Sequence, residues 1–404
     1  MIPVHVKQSL LIPLLIFALT FTLGCGGSGG ALPANAPIPT ASPSPSPSPT
    51  PAPTPTATPS PTPSEFMFEG NSTSSLNLAQ IDLSSGSLGA VTVAPPNIGA
   101  ADNATYPGLA VTPAKNLLYA ISSNQTAVQG FSISAPSLTL TPLQSTPFTS
   151  SSAGTMTSLV LHPSGRFLYV LHSSSTIEEV GVNSDTGDLS FGADFTEPTP
   201  ADFAVAVIDP TGKFLYAPDI TGGKVFGYQI NQTDGSLSAV TGSPFPMPGT
   251  GQPNIAAIDS TGKFLYVAQF TRGIAAFSID SATGRINSVP GSPFLTSGTP
   301  AFLSADPVAN FIYLCNSEGL IDGFAIDSSA GTLTPVPGSP FLTSATASNV
   351  AVDPLGKFVY VSNEARTAIF GFAIDSVSGS LTGIPGSPFA AVPHIENLYI
   401  VKLP

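Results

Sequence analysis

Tryptophan is absent from this 404-residue chain, only 9% of its residues are charged, and it has two cysteines. Eleven Lys and Arg against 24 Asp and Glu give a formal charge of −13, with no basic cluster to offset it. Such a surface repels a phosphate backbone, which excludes nucleic acid as a partner. Cys25 closes an apolar N-terminal segment, and Cys315 stands alone inside a strand-like run. No disulfide is expected within one mature chain, and Cys315 reads as a small buried hydrophobe. The apolar run from Leu10 to Leu23 is short for a membrane span of ~20 residues and reads as part of a signal peptide. What the chain has in quantity is Gly and Pro, 38 and 43 residues. Both are poor helix formers and punctuate strands, so many short strands joined by turns are expected, in an all-β fold.

Residues 1–25 are expected to be the signal peptide. The ending Thr22-Leu23-Gly24-Cys25 resembles the lipobox of bacterial lipoproteins, in which the cysteine is lipidated. The family usually has Leu where this chain has Thr22. Residues 26–64 begin Gly-rich and become Pro, Ser, Thr and Ala almost exclusively, which cannot bury a core. Alternating Pro favours polyproline II, a tether reaching about 100 Å. The expected location is therefore extracytoplasmic, in the periplasm or on the cell surface, with membrane contact through the lipid anchor only.

Residues 65–404 repeat one phrase. Asp353-Pro-Leu-Gly-Lys-Phe-Val-Tyr-Val-Ser-Asn363 recurs from Asp209, Asp259 and His162, and more loosely from Asp306 and Thr112. Its tyrosines fall at 119, 169, 216, 266, 313 and 360, in steps of 47 or 50 residues. A fixed period of this size indicates an array of supersecondary units. Within one period, Asn254 to Phe294, four apolar runs are separated by Gly, Asp and Pro turns, too closely for crossover helices. Each unit is an antiparallel four-stranded meander, apolar on both faces, and radial packing of such units makes the blades of a β-propeller. Phe68 supplies a seventh second-strand anchor, and Asn397 to Lys402 a seventh first strand. The first and last strands are thus expected to complete one blade together and close a seven-bladed ring.

On the phrases Asp353 to Asn363 and Ile369 to Leu381, the chain resembles the seven-bladed lactonase-like and YVTN-repeat propellers. The resemblance implies a fold firmly and a chemistry weakly, because propellers host many functions. Lactonase relatives typically carry Pro-Arg-His at the start of a first strand, in the blade that holds Tyr-Val-x-Asn-Glu. This chain keeps Tyr360-Val-Ser-Asn363-Glu364 but has Ala347-Ser348-Asn349 in place of the other phrase. Pro393-His394-Ile395-Glu396, one blade on, is the one similar stretch.

The Asp-Pro turns, which define the bottom of the ring, read as turn chemistry: Asp or His opens the turn, Pro presets φ, and Gly takes a conformation other residues resist. The Asp280, Asp327 and Asp375 turns supply single carboxylates, too few for calcium, and no metal or other cofactor is expected. Gly-Ser-Pro-Phe, at 242–245, 291–294, 338–341 and 386–389, reads as an edge device. On the top, every second strand ends in a polar residue: Asn71, Ser122, His172, Asp219, Gln269, Asn316 and Asn363. Candidate catalytic residues are His172, Asp219, Glu364 and His394, as base or oxyanion partner. Candidate ligand contacts are Asn71, Gln269, Asn316, Asn363, Lys224, Arg272 and Arg366. The last three are the only cations on expected top loops, which disfavours a phosphorylated substrate. The leading expectation is a tethered, monomeric propeller that binds a small molecule, glycan or protein on its top face. The rival is a lactonase-type hydrolase, of the 6-phosphogluconolactonase-like kind, with a top-face central site.

Overall fold

In the computed structural model, residues 64–403 are described, apart from 72–75, 94–107, 115, 123–124, 135–138, 272, 344, 366 and 392–394. The expected signal segment, Cys25 and the tether up to residue 63 lie outside the described residues. The described residues belong to one compact unit, Pro59–Pro404. They form seven antiparallel sheets and no helix.

In blades 1 to 6 the first strands are Leu109–Val111, Met156–Leu161, Val207–Ile208, Pro253–Ile258, Pro300–Ala305 and Ala347–Val352. The second strands are Leu117–Ile121, Phe167–His172, Phe214–Asp219, Phe264–Gln269, Phe311–Asn316 and Phe358–Asn363. The third strands are Ala127–Ser134, Thr176–Val182, Lys224–Ile230, Gly273–Ile279, Leu320–Ile326 and Ala368–Ile374, each followed by a fourth. In blade 7, Ile395–Leu403 is the first strand, Ser64–Asn71 the second, Leu76–Ile81 the third and Thr92–Val93 the fourth. Eight Cα pairs, from Ser64 with Leu403 to Asn71 with Ile395, make this closure longer than the 397–402 expected. It removes the free inner edge that the second strand would otherwise expose.

The repeated phrase turns out to hold neighbouring blades together. The tyrosine of each second strand is fully buried, and its hydroxyl donates to a glycine carbonyl in the third-to-fourth turn of the following blade. Tyr119, Tyr169, Tyr216, Tyr266, Tyr313 and Tyr360 reach Gly187, Gly235, Gly284, Gly331, Gly379 and Gly86, at 2.6 to 3.0 Å. Phe68 of blade 7 has no hydroxyl, and the contact from blade 7 to blade 1 is made by apolar side chains including Phe66, Phe68, Leu109 and Phe131. At Gly331, φ is +73° and a Cβ would lie 2.3 Å from the Phe264 ring of the preceding blade. Glycine is required there by backbone and space together. The turn aspartates act as expected of turn chemistry: Asp259 Oδ1 accepts the Phe264 N–H at 2.7 Å, and Asp209 and Asp353 accept their counterparts.

Gly-Ser-Pro-Phe does more than blunt an edge. In blades 3 to 6 its serine Oγ accepts a third-strand N–H, as Ser292 does from Ala276 at 2.8 Å. The following phenylalanine then pairs with the same third strand again, so Phe294 lies opposite Ile274. The fourth edge is thus built in two pieces. Blade 2 lacks the phrase and has one continuous fourth strand, Leu189–Thr196.

Candidate functional site

The polar residues that end the described second strands lie at the top, and they are buried. His172, Asp219, Gln269, Asn316 and Asn363 are between 0% and 7% exposed. Each sits where the chain turns from second to third strand, and four of the five bond to loop backbone, His172 being the exception. Asn363 Oδ1 accepts from the N–H groups of Thr367 and Ala368, both at 2.9 Å. Asn316 Oδ1 accepts from Glu318 and Leu320, Gln269 donates to the Pro248 carbonyl, and Asp219 Oδ1 accepts from Asp202. Lys224 is half-buried as the Cα partner of Asp219. The side chain of Asn71, and His394, Arg272 and Arg366, lie outside the described residues.

Two of these residues, His172 and Asn316, each bond a buried carboxylate that the sequence reading missed. In blade 2, His172 Nε2 donates to Glu178 Oε2 at 3.2 Å, and Ser150 Oγ donates to the same oxygen at 2.6 Å. Burial alone would raise the Glu178 carboxyl; hydrogen bonds from His172 and Ser150 outweigh it and hold the carboxyl below its ordinary range. In blade 5, Asp322 takes the same third-strand position, accepting from Ser297 Oγ at 2.9 Å and from Asn316 Nδ2 at 3.2 Å. Burial pushes the Asp322 carboxyl up. The available signal was an acid in a third strand at a position held by uncharged residues elsewhere, Gln129, Phe226, Ala275 and Phe370 among them. The Ser150, His172 and Glu178 group is not wired as a nucleophilic triad. A triad needs the imidazole between hydroxyl and carboxylate, whereas here hydroxyl and imidazole both donate to Glu178, and Ser150 Oγ is 3.5 Å from Nε2. Its geometry suits anchoring the loop that enters blade 2.

Two cavities stand out among the described residues. One, of about 550 Å³, lies along the axis, lined by first strands of five blades and by Val205 and Ala206 just before that of blade 3, and rimmed at the bottom by Pro113, Pro163, Pro307 and Pro354. Its lining is apolar apart from a few groups such as His162 and Ser304, and His162 is tied to the Gly212 carbonyl of the next blade at 2.8 Å. It has no free base. The other, of about 450 Å³, opens at the top of blade 6 between Ala345, Thr346, Asn363, Glu364 and Ala365. Glu364 is exposed there, with its backbone N–H fixed to the Thr346 carbonyl at 2.7 Å. Beside it a β-bulge falls at Ser348, whose Oγ lies 3.0 Å from Ser362 Oγ and 3.3 Å from the Asn363 carbonyl. Among the described residues no three His, Cys, Asp or Glu side chains gather as a metal-ligand set.

The family described as "Lactonase, 7-bladed beta-propeller" matches residues 70–269. No curated protein matches the sequence. Among solved structures, a candidate 6-phosphogluconolactonase from Bacteroides fragilis superposes with a TM-score of 0.68 at 20% identity, covering 84% of this chain and 98% of that one. A candidate 6-phosphogluconolactonase from Bacteroides uniformis gives 0.69 at 18% identity, covering 84% and 99%. The periplasmic gluconolactonase of Pseudomonas aeruginosa gives 0.69 at 20% identity, covering 85% and 99%. At these identities the structural likeness concerns the fold. Repeat phrases and ring closure agree, and the chain is a seven-bladed β-propeller whose residues 70–269 match the lactonase family.

Proposed function

We propose that this propeller is a lactone hydrolase working in the top cleft of blade 6, with Glu364 as general base. The observation that carries the reading is an exposed carboxylate in a cleft of about 450 Å³, on a loop held by Asn363 and Thr346. The family match and the gluconolactonase-type names of its structural neighbours support the reaction class. Glu364 takes a proton from water as the oxygen adds to the lactone carbonyl. The ring C–O bond then breaks, and the departing ring oxygen takes the proton back, leaving a hydroxy acid. The scarcity of cations on the top loops favours an unphosphorylated sugar lactone.

Binding without turnover is the second reading. It is favoured by Ser348 and Asn349, which stand where the resemblance leads one to expect Arg and His, and Ser348 is already engaged within blade 6. Proton release from aldonolactones separates the two. Glu364→Gln is expected to lower turnover about 10²-fold or more while leaving the melting temperature unchanged. Undiminished hydrolysis by the variant removes Glu364 from the mechanism, and saturable lactone binding with no hydrolysis by the wild type establishes the second reading.

A further inference from the structure

Glu65 is the second residue of the second strand of blade 7, paired with Lys402 of the closing strand on one side and Ile81 on the other. At the corresponding place the other blades carry Asn116, Arg166, Lys213, Lys263, Asn310 and Lys357. Glu65 puts a negative charge where four of those six blades carry a positive one, in the blade built from strands furthest apart in sequence.

The Glu65 side chain is 0% exposed, and neither of its oxygens has a hydrogen-bond donor. It faces Asp353 of the blade 6 turn, also 0% exposed. The Asp353 oxygens already accept the N–H groups of Leu355, Lys357 and Phe358. Lys402 on the closing strand and Lys357 on the blade 6 turn are the cations near Glu65. Tyr360 of blade 6 lies close by, with Asp82 beyond it, and Asp306 of blade 5 faces Asp353 from the far side. Two carboxylates this close in a dry site repel each other. A proton on Glu65 removes the repulsion and turns one of its two oxygens into a donor toward Asp353.

We infer that blade 7 is fastened to blade 6 through the buried Glu65 carboxyl, held protonated against Asp353, so that ring closure tightens when Glu65 is protonated and loosens when it ionises. Burial first, and the charge of Asp353 second, push the Glu65 carboxyl from 4.5 up to about 7, with Lys402 and Lys357 pulling partly back. The folded ring therefore binds this proton more tightly than the unfolded chain. The stabilisation is complete below the ordinary value and is lost as pH rises through the folded one.

The test compares wild type with Glu65→Gln, whose amide can donate to Asp353 at every pH. Thermal and urea unfolding are followed from about pH 4 to about pH 8, with native-state hydrogen exchange of residues 64–71 and 395–403, corrected for intrinsic rates. From about pH 5 to about pH 7 the wild-type folding equilibrium constant is expected to fall about tenfold or more relative to the variant. Every other ionisable group is common to both proteins, so its contribution cancels in the difference. Protection of the two blade 7 strands is expected to fall over the same range relative to blade 4. Parallel stability curves for the two proteins overturn the proposal. If the variant does not fold, wild-type blade 7 protection that is independent of pH overturns it equally.

Discussion

Gly331→Ala, in the third-to-fourth turn of blade 5, separates the two reasons for glycine in the repeated turn. A Cβ at this position lies 2.3 Å from Cδ1 and 2.5 Å from Cε1 of Phe264. That ring is 5% exposed and packed in the core shared by blades 4 and 5, so it cannot swing away. The left-handed backbone costs about 1 kcal/mol once a Cβ is present. Overpacking adds about 1–3 kcal/mol, and a displaced Gly331 carbonyl weakens its bond from Tyr266 by about 1 kcal/mol. The expected loss is about 3–5 kcal/mol, a large fraction of the ~5–15 kcal/mol by which a domain is stable. Gly223→Ala is the control: φ is +60° there and nothing lies within 4 Å of the added Cβ. It should cost about 1 kcal/mol, from the backbone alone. Urea unfolding of both variants gives the comparison, and adding Phe264→Leu to Gly331→Ala should recover part of the loss. If the two single variants fall within about 0.5 kcal/mol of each other, packing between blades is not what selects glycine in this turn.

Tyr266→Phe leaves the Gly331 carbonyl without its partner and should cost about 1–2 kcal/mol by the same measurement; an unchanged midpoint would remove the hydroxyl from the account. Deleting residues 395–403 strips blade 7 of its inner strand and exposes the edge of Ser64–Asn71. The shortened protein should lose its single cooperative transition and associate on size-exclusion chromatography, whereas a monomer with a wild-type transition would show that the closing strand is dispensable.

The architecture was legible because its determinants are local. Asp, Pro and Gly fix each turn within a few residues, apolar runs fix each strand, and counting anchors from Phe68 to Tyr360 gives seven blades and the paired ends. The tyrosine pins were not legible. Each hydroxyl meets a carbonyl 65 to 68 residues on, or 274 residues away for Tyr360 and Gly86, and no single repeat names its spatial neighbour.

The top face shows the same division more sharply. One sequence position, the end of the second strand, yields polar residues of seemingly one kind. The tertiary structure gives His172 and Asn316 to the buried carboxylates Glu178 and Asp322, and gives Gln269 and Asn363 to loop backbone. It leaves Glu364 exposed in a cleft. An acid in a third strand reads in sequence as a solvent-facing residue, and only the loop arriving from the preceding blade buries it. The Glu65 and Asp353 pair depends on ring closure in the same way. The sequence by itself determined the turns, the strands and the number of blades, since these follow from backbone preferences and side-chain pattern over about ten residues. Which polar groups are buried, paired or open to a ligand was decided by the tertiary structure, because desolvation and hydrogen-bond partners are set by contacts between blades.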